Sequence, residues 1–435
     1  MTATAAPRPL STTNVRARLT RTPGRLRLAA IVLALAAVVF GAIAVTVAAN
    51  RRTAAESVAT RSEPQLVRAE GLYASLSDAD ATAATTFLTG GIEPPARRRR
   101  YLADLKAAGA QLAALARHAG DDAGTRAAAS RVGTELPVYA GLVEAARSNN
   151  RQGFPIGAAH LRQASDLMRT RMLPAAQRLY VAEAARTNED YRDGTANGGL
   201  VAAFVAGGIA LALLLVAQFG LARFSNRRLN VPLVIATVLL ALAIAEVSSL
   251  VDEQNSLASA QRKGSDSVQL LSASRVLALR AQRDESLALI GRGSDTTSLA
   301  DFDKAMVALR GHSPGGGVLG EAERAARRSQ TARAVAGART ALGRLEDVHR
   351  RVAMRERRGD YAAAVRVYVA DELPQAERLD AALEAQTRAA QQRFDADAHD
   401  ATASLDWTPE VLAGLALLIA ALAVRGIAVR LKEYR

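Results

Sequence analysis

The chain has no cysteine in 435 residues, and aromatic residues make up only 4% of it. Without cysteine it can form neither disulfides nor thiolate redox or metal sites. Yet 49% of the residues are hydrophobic, so the apolar content is mostly alanine, leucine and valine. These residues favour helices over sheets, and the length allows two or three domains. The composition therefore predicts an all-α protein.

Histidine is also scarce, at five residues, and no two of them have the spacing of a His-x-x-x-His pair. We therefore expect no metal site and no cofactor. The triple glycine at residues 315–317 has no strand before it, so it predicts a loop of a helical bundle and not a phosphate-binding loop. No catalytic residue is identified, and we predict that the protein is not an enzyme.

The net charge of +14 comes almost entirely from three short stretches. The first 27 residues carry six arginines and no acid, residues 223–228 carry three arginines, and four bases against one acid follow Val424. Each of these stretches adjoins an apolar run, whereas the long segments between them are nearly balanced. This is the positive-inside pattern of a membrane protein, and it argues against nucleic-acid binding.

Four apolar stretches predict transmembrane helices, and the two central ones form a hairpin around a short basic hinge. The last stretch has only 14 uncharged residues from Val411. The first could instead be a signal peptide cleaved near Ala49, but its apolar core is too long for one. The predicted segments are a disordered cytoplasmic tail (1–27), TM1 (28–49), a first extracytoplasmic bundle (50–197), TM2 (198–222), a cytoplasmic hinge (223–229), TM3 (230–251), a second extracytoplasmic bundle (252–406), TM4 (407–425) and a cytoplasmic tail (426–435).

Each long segment between the spans shows apolar residues at helical spacing, divided by clusters of glycine, proline and asparagine. Three breaks in a segment give four helices, so we predict two antiparallel four-helix bundles. Leu173-Pro174 recurs 200 residues later as Leu373-Pro374, and we expect both prolines to kink or restart their helices. Several such matches at nearly one spacing predict a tandem internal duplication of span, bundle and span.

Basic and amide residues cluster at one end of each predicted bundle, where the break after its first helix and the break after its third helix would meet. We predict that they form a docking face for an acidic partner, although a solvated charge run explains them equally well. These residues are Arg97, Arg98, Arg99, Arg100, Asn149, Asn150, Arg151, Gln152, Arg292, Arg355, Arg357 and Arg358. The hinge arginines Arg223, Arg227 and Arg228 are predicted to face a cytosolic effector.

Polar residues also enter the first helix of the first bundle. A ligand cavity between helices is one interpretation, but we favour a solvated helix face. They are Ser75, Ser77, Asp78, Asp80, Thr82, Thr85 and Thr86. Transport is disfavoured because the polar residues of the spans, Gln218 and Glu246, lie close to the expected membrane boundaries.

Three stretches of the first bundle, GLVEAAR (141–147), GFPIGAA (153–159) and LPAAQRLY (173–180), resemble the actinobacterial GlnX membrane proteins. The resemblance implies that a solute-binding lipoprotein, GlnH, reports extracellular aspartate or glutamate to the protein. It also implies that a cytosolic Ser/Thr kinase of the protein kinase G type receives the signal. No binding residue of that family is carried over to this chain.

The sequence thus predicts a non-enzymatic nutrient sensor in the plasma membrane, with both termini in the cytoplasm and homo-oligomers allowed. Two alternatives remain. One is a stand-alone sensor that binds a small molecule inside a bundle, and the other is a structural membrane scaffold without a ligand.

Overall fold

The computed structural model describes residues 22–89, 93–118, 122–194, 198–224, 230–260, 266–292, 294–313, 315–328, 332–405 and 407–432. Within these ranges the regular structure is helical. The helices are α1 (Thr22–Ser57), α2 (Glu63–Thr89), α3 (Pro95–His118), α4 (Ala123–Arg151), α5 (Ile156–Leu167), α6 (Leu173–Gly194), α7 (Gly198–Phe224), α8 (Val231–Ala260), α9 (Asp266–Ile290), α10 (Thr296–Arg310), α11 (Gly317–Arg328), α12 (Ala332–Arg357), α13 (Tyr361–Val367), α14 (Leu373–Leu405) and α15 (Thr408–Lys432). Within the same ranges lie three π-helical turns, π1 (Val58–Ser62), π2 (Met168–Met172) and π3 (Tyr368–Glu372), which precede α2, α6 and α14.

The chain divides into two units. The membrane unit comprises Met1–Glu56, Arg192–Ser256 and Asp400–Arg435. The helical unit comprises Ser57–Tyr191 and Leu257–His399. The long segments on either side of the central hairpin therefore build one compact unit together.

In the membrane unit, α1, α7, α8 and α15 are each long and apolar enough to cross a bilayer. Their facing sides pack into one apolar cluster that includes Phe40, Leu240 and Ile419, while Val216 and Phe219 stay exposed. An apolar exterior of this kind suits lipid. The protein is thus a multi-pass membrane protein. The fourth candidate span runs from Thr408 to Val429 and is therefore longer than the predicted TM4 (407–425).

Close packing and one polar contact join the spans. A Cβ on Gly41 of α1 would lie only 2.2 Å from the Cβ of Ala416 in α15, so only glycine fits there. Gln218 of α7 donates hydrogen bonds to Thr237 and, at 2.9 Å, to the carbonyl of Leu233, both in α8. Hydrogen bonds of this kind hold neighbouring helices together in lipid.

The first half of the helical unit packs α2 to α6 around one core, with Leu72, Tyr139, Met168 and Leu179 fully buried. Helices end on either side of each predicted break. The second half packs α9 to α12 and α14 in the same manner around Phe302 and neighbouring residues. Its glycine-rich loop has the Gly-x-Ser-x-Gly spacing at residues 311–315, but the loop joins two helices and lacks the strand that a nucleophile elbow needs.

Each π-helical turn is followed directly by an X-Pro pair, at Pro64, Pro174 and Pro374. Proline lacks an N–H group, and its ring clashes with the carbonyl of the fourth preceding residue in an α-helix. A π-turn widens the helix at this point and removes the clash. The prediction that Pro174 and Pro374 interrupt their helices is confirmed.

The two halves share their cores, because Leu287 of α9 joins the first core and Leu88 of α2 packs against a cluster in the second half. Helix α2 is therefore covered by α3 on one side and by α9 on another. The predicted solvated face of α2 is wrong: Ser77, Asp78, Asp80, Thr82, Thr85 and Thr86 are buried, and Ser75 is half-buried.

Candidate functional site

Two aspartates and two arginines form an ion network where the two halves meet. Asp78 of α2 and Arg100 of α3 come from the first half, and Arg275 of α9 and Asp380 of α14 come from the second. Within the halves, Arg100 Nε donates to Asp78 Oδ1 at 3.0 Å and Arg275 Nε donates to Asp380 Oδ1 at 2.7 Å. Across the joint, Arg275 Nη2 donates to Asp78 Oδ2 at 3.1 Å, and Arg100 contacts Asp380. We call this set the joint network.

The joint network is buried on its acidic side. The side chains of Asp78 and Asp380 are 6% and 4% exposed, and that of Arg275 is 15% exposed. Burial raises the pKa of Asp78, and the charges of Arg100 and Arg275 oppose this rise. Nearby, burial and the charge of Asp78 raise the pKa of Asp104 to about 8. Low dielectric strengthens the attraction between such charges and also makes an unpaired one costly.

A second pair of buried charges lies two residues farther along α2 and eight residues farther along α9. Asp80 of α2 is fully buried and accepts hydrogen bonds from Ser165 at 2.9 Å and Tyr139 at 3.2 Å. Arg283 of α9 approaches its other oxygen at 3.6 Å and also pairs with Asp284 at 2.7 Å. Burial raises the pKa of Asp80, although Arg283 opposes it. Helices α2 and α9 therefore carry complementary charges at two successive levels.

A polar cavity of about 300 Å³ adjoins the joint network. Its lining includes two acidic residues, Glu70 and Glu384, and two basic residues, Arg275 and Arg388. Ser75 also lines it, so one of the polar residues of α2 does face a cavity. Burial raises the pKa of Glu70 to about 8. The volume lies at the lower end for ligand pockets, which suits a small polar solute.

A third cluster in the second half brings together Glu285 of α9, His349 of α12 and Glu372 of π3. His349 Nδ1 lies 2.7 Å from Glu285 Oε1 and 3.5 Å from Glu372 Oε1. Burial lowers the pKa of His349, but the hydrogen bond to Glu285 and the negative charges of both glutamates outweigh it and raise the pKa to about 10. One donor atom from each residue lies within 4.8 Å of the others, so these three could hold a metal ion.

The predicted docking residues of the first half fall into two groups. The ends of α2 and α4 meet as expected, because Asn150 donates to the carbonyl of Phe87 at 3.0 Å. However, three of the four consecutive arginines bind acids: Arg97 contacts Glu377, Arg98 contacts Glu144 and Arg100 belongs to the joint network. Asn149 donates to the carbonyl of Ala145. Arg99, Arg151 and Gln152 are exposed.

The predicted docking residues of the second half lie at helix ends. Arg292 lies two residues after the end of α9 and has a left-handed φ of +49°. Arg355, Arg357 and Arg358 lie at the end of α12. All four side chains are exposed. Among the effector-facing residues, Arg223 is exposed in the last turn of α7, whereas Arg227 and Arg228 lie outside the described residues.

Sequence analysis missed Arg275 and Asp380, the second-half members of the joint network, and it missed the histidine cluster. Arg275 and Arg283 lie eight residues apart on α9, and this helix faces the acidic residues of α2. Complementary charges on the first helix of each half are a signal that the sequence does contain. The histidine cluster has no such signal, because its three residues come from three distant elements.

Residues 54–192 match the model of one protein family, whose description is an actinobacterial sensor domain. A search of curated proteins and a search of solved structures find no significant match to the chain. The matched region runs from the end of α1 to the end of α6, and it includes Asp78, Asp80 and Arg100. About a third of this membrane protein, including the first half of the helical unit, therefore corresponds to an actinobacterial sensor domain.

Proposed function

We propose that the protein is a non-enzymatic transmembrane sensor whose helical unit lies outside the cytoplasm and whose two termini lie inside. The observation that carries the proposal is the joint network, because its charges connect the sensor-domain match in the first half to the second half of the chain. A stimulus that alters the contact between α2 and α9 changes the position of both halves. The proposed tandem duplication makes the halves two copies of one sensing element, and the matching π-turns before Pro174 and Pro374 support it.

The resemblance to the GlnX proteins supports a finer version of this function. In it, a solute-binding lipoprotein reports extracellular aspartate or glutamate, and a cytosolic Ser/Thr kinase receives the signal. The partner docks on the exposed arginines at the helix ends of the helical unit, Arg99, Arg151, Arg357 and Arg358 among them. On the cytosolic side, the basic hinge that begins at Arg223 meets the effector.

Charge reversal tests the docking step. We expect Arg357→Glu combined with Arg358→Glu to abolish co-purification of the extracytoplasmic lipoprotein and to remove the response of the kinase to added glutamate. Arg162→Glu is the matched control, because Arg162 is exposed on α5 and lies outside the predicted face. The docking proposal is wrong if the double variant still captures the lipoprotein and responds as the wild type does.

The cavity beside the joint network favours a second candidate, in which the protein binds a small solute directly. Arg275, Arg388 and Glu384 in its lining complement the carboxylate and ammonium groups of an amino acid. In this version, purified full-length protein binds aspartate or glutamate without any lipoprotein. A bulky side chain at Ser75 or Ser272, both in the lining, then blocks binding.

Isothermal titration calorimetry of the detergent-solubilised protein separates the two candidates. Heat of binding that Ser272→Trp removes supports direct sensing. Absence of binding to the purified wild type, together with binding once the lipoprotein is added, supports the partner-dependent version.

A further inference from the structure

We propose that Glu285, His349 and Glu372 form a binding site for one first-row divalent metal ion, with Zn²⁺ as the best match. This site would connect α9, α12 and the π-turn that precedes α14. It lies apart from the joint network and does not depend on the proposed sensing function.

The strongest observation is the state of the Glu372 carboxylate. Its side chain is 1% exposed, and neither of its oxygens has a hydrogen-bond partner among the described residues. Its nearest cation is His349 Nδ1 at 3.5 Å. A buried carboxylate without partners is costly unless a ligand compensates it.

The chain itself shows that packing does not require a carboxylate at this position. Met172 is the last residue of π2 and directly precedes Leu173-Pro174, just as Glu372 is the last residue of π3 and precedes Leu373-Pro374. Met172 is fully buried in an apolar core. A methionine therefore satisfies the same local geometry in the first half, and Glu372 needs another explanation.

The donor set matches the chemistry of a divalent metal. Two carboxylates and one imidazole are hard and borderline ligands that bind Zn²⁺, Mn²⁺ or Fe²⁺, and two carboxylates neutralise a divalent charge. Donors around tetrahedral Zn²⁺ are about 3.3 Å apart. The 3.5 Å between His349 Nδ1 and Glu372 Oε1 is close to that spacing, and the 2.7 Å to Glu285 is a hydrogen bond that opens slightly as the metal enters.

Neighbouring residues hold the imidazole in place. The ring of Phe302 packs on that of His349 with centroids 4.4 Å apart. Glu346 precedes His349 by three residues on α12, but it turns away and contacts Arg310 at 3.5 Å. When the metal binds, His349 Nδ1 loses its proton to solvent and donates its lone pair to the ion, so binding releases a proton.

The test uses the full-length protein in detergent after removal of metal by a chelator. It is incubated with ZnCl₂, desalted and analysed for bound metal by mass spectrometry, and its affinity is measured by competition with a chromogenic chelator. We expect one Zn²⁺ per chain in the wild type. Glu372→Met, which copies Met172, should weaken binding by at least ~10-fold, since loss of even an outer-shell partner has effects of that size.

Asp371→Asn is the matched control. Asp371 is the adjacent residue of π3, but its side chain is 44% exposed and pairs with Arg351. This variant should keep the metal. The proposal is overturned if the wild type retains no metal, or if Glu372→Met binds Zn²⁺ as tightly as the wild type does.

A spectroscopic measurement on the wild type guards against a variant that fails to fold. Zinc-edge X-ray absorption should show one imidazole nitrogen and carboxylate oxygens at about 2.0–2.2 Å. A spectrum without an imidazole ligand would exclude this site.

Discussion

Replacing Arg275 by methionine is the sharpest test of the joint network. Arg275 contacts acids of both halves, at 2.7 Å to Asp380 and 3.1 Å to Asp78. Methionine keeps most of the length of the side chain and removes only the charge. The two buried aspartates would then share Arg100 alone, whose side chain is 38% exposed. The network would then hold two negative charges and only one positive charge.

Removal of one member of a buried ion pair costs about 3–5 kcal/mol. We expect Arg275→Met to lie near the lower limit, at about 3 kcal/mol, because Arg100 still reaches both acids. For a unit of this size, 1 kcal/mol lowers the melting temperature by about 2–4 °C. The expected loss is therefore about 6–12 °C.

The assay is thermal unfolding of the full-length protein in detergent, followed by circular dichroism at several protein concentrations. Asp380→Asn in the Arg275→Met background restores neutrality and should recover at least ~1 kcal/mol relative to the sum of the single variants. Arg350→Met is the control, because Arg350 and Asp347 form an exposed pair that contributes about 0–1 kcal/mol. If Arg275→Met costs no more than Arg350→Met, or Asp380→Asn gives no recovery, the network does not stabilise the joint.

Two further predictions concern the cavity and the spans. The pKa of Glu70 rises from 4.5 to about 8 on folding, so its contribution to the free energy of unfolding is full below pH 4.5 and is lost as the pH rises through 8. The melting temperature of the wild type should therefore fall over this pH range, and that of Glu70→Gln should fall less. Equal slopes for both proteins would refute the prediction. In the membrane unit, Gly41→Leu should disrupt the packing of the spans, because its Cβ would collide with Ala416. Gly208→Leu should be tolerated, because no atom lies within 4 Å of the position of its Cβ. The yield and monodispersity of each variant in detergent check this prediction, and equal behaviour of the two variants would contradict it.

The spans and the helix breaks could be predicted from the sequence, because hydropathy and turn residues act locally. The Pro174 and Pro374 interruptions follow from proline's missing N–H for the same reason. The contact between the halves could not be read in this way. A run such as Asp78 to Thr86 has the composition of a solvated face, but the helices that cover it include one about 200 residues away in the chain.

The basic cluster at Arg97–Arg100 shows a related limit. A run of like charges predicts a surface, but helical geometry sends successive side chains in different directions. Arg100 points to Asp78, Arg98 to Glu144, and Arg99 to solvent. The histidine cluster escaped prediction because its ligands come from three elements, and no local spacing marks them.

The pairing scheme of the joint network has a consequence for reversibility. Each half supplies one acid and one base, and each base also binds the acid of its own half. When the halves separate, each aspartate of the joint network can therefore stay paired with the arginine of its own half. Within the joint network, opening breaks two contacts, Arg275 with Asp78 and Arg100 with Asp380, while the two contacts within the halves persist. The contacts of Arg97 with Glu377 and of Arg283 with Asp80 also cross the joint and break with them. The four charges can therefore form the same pairs again each time the halves close.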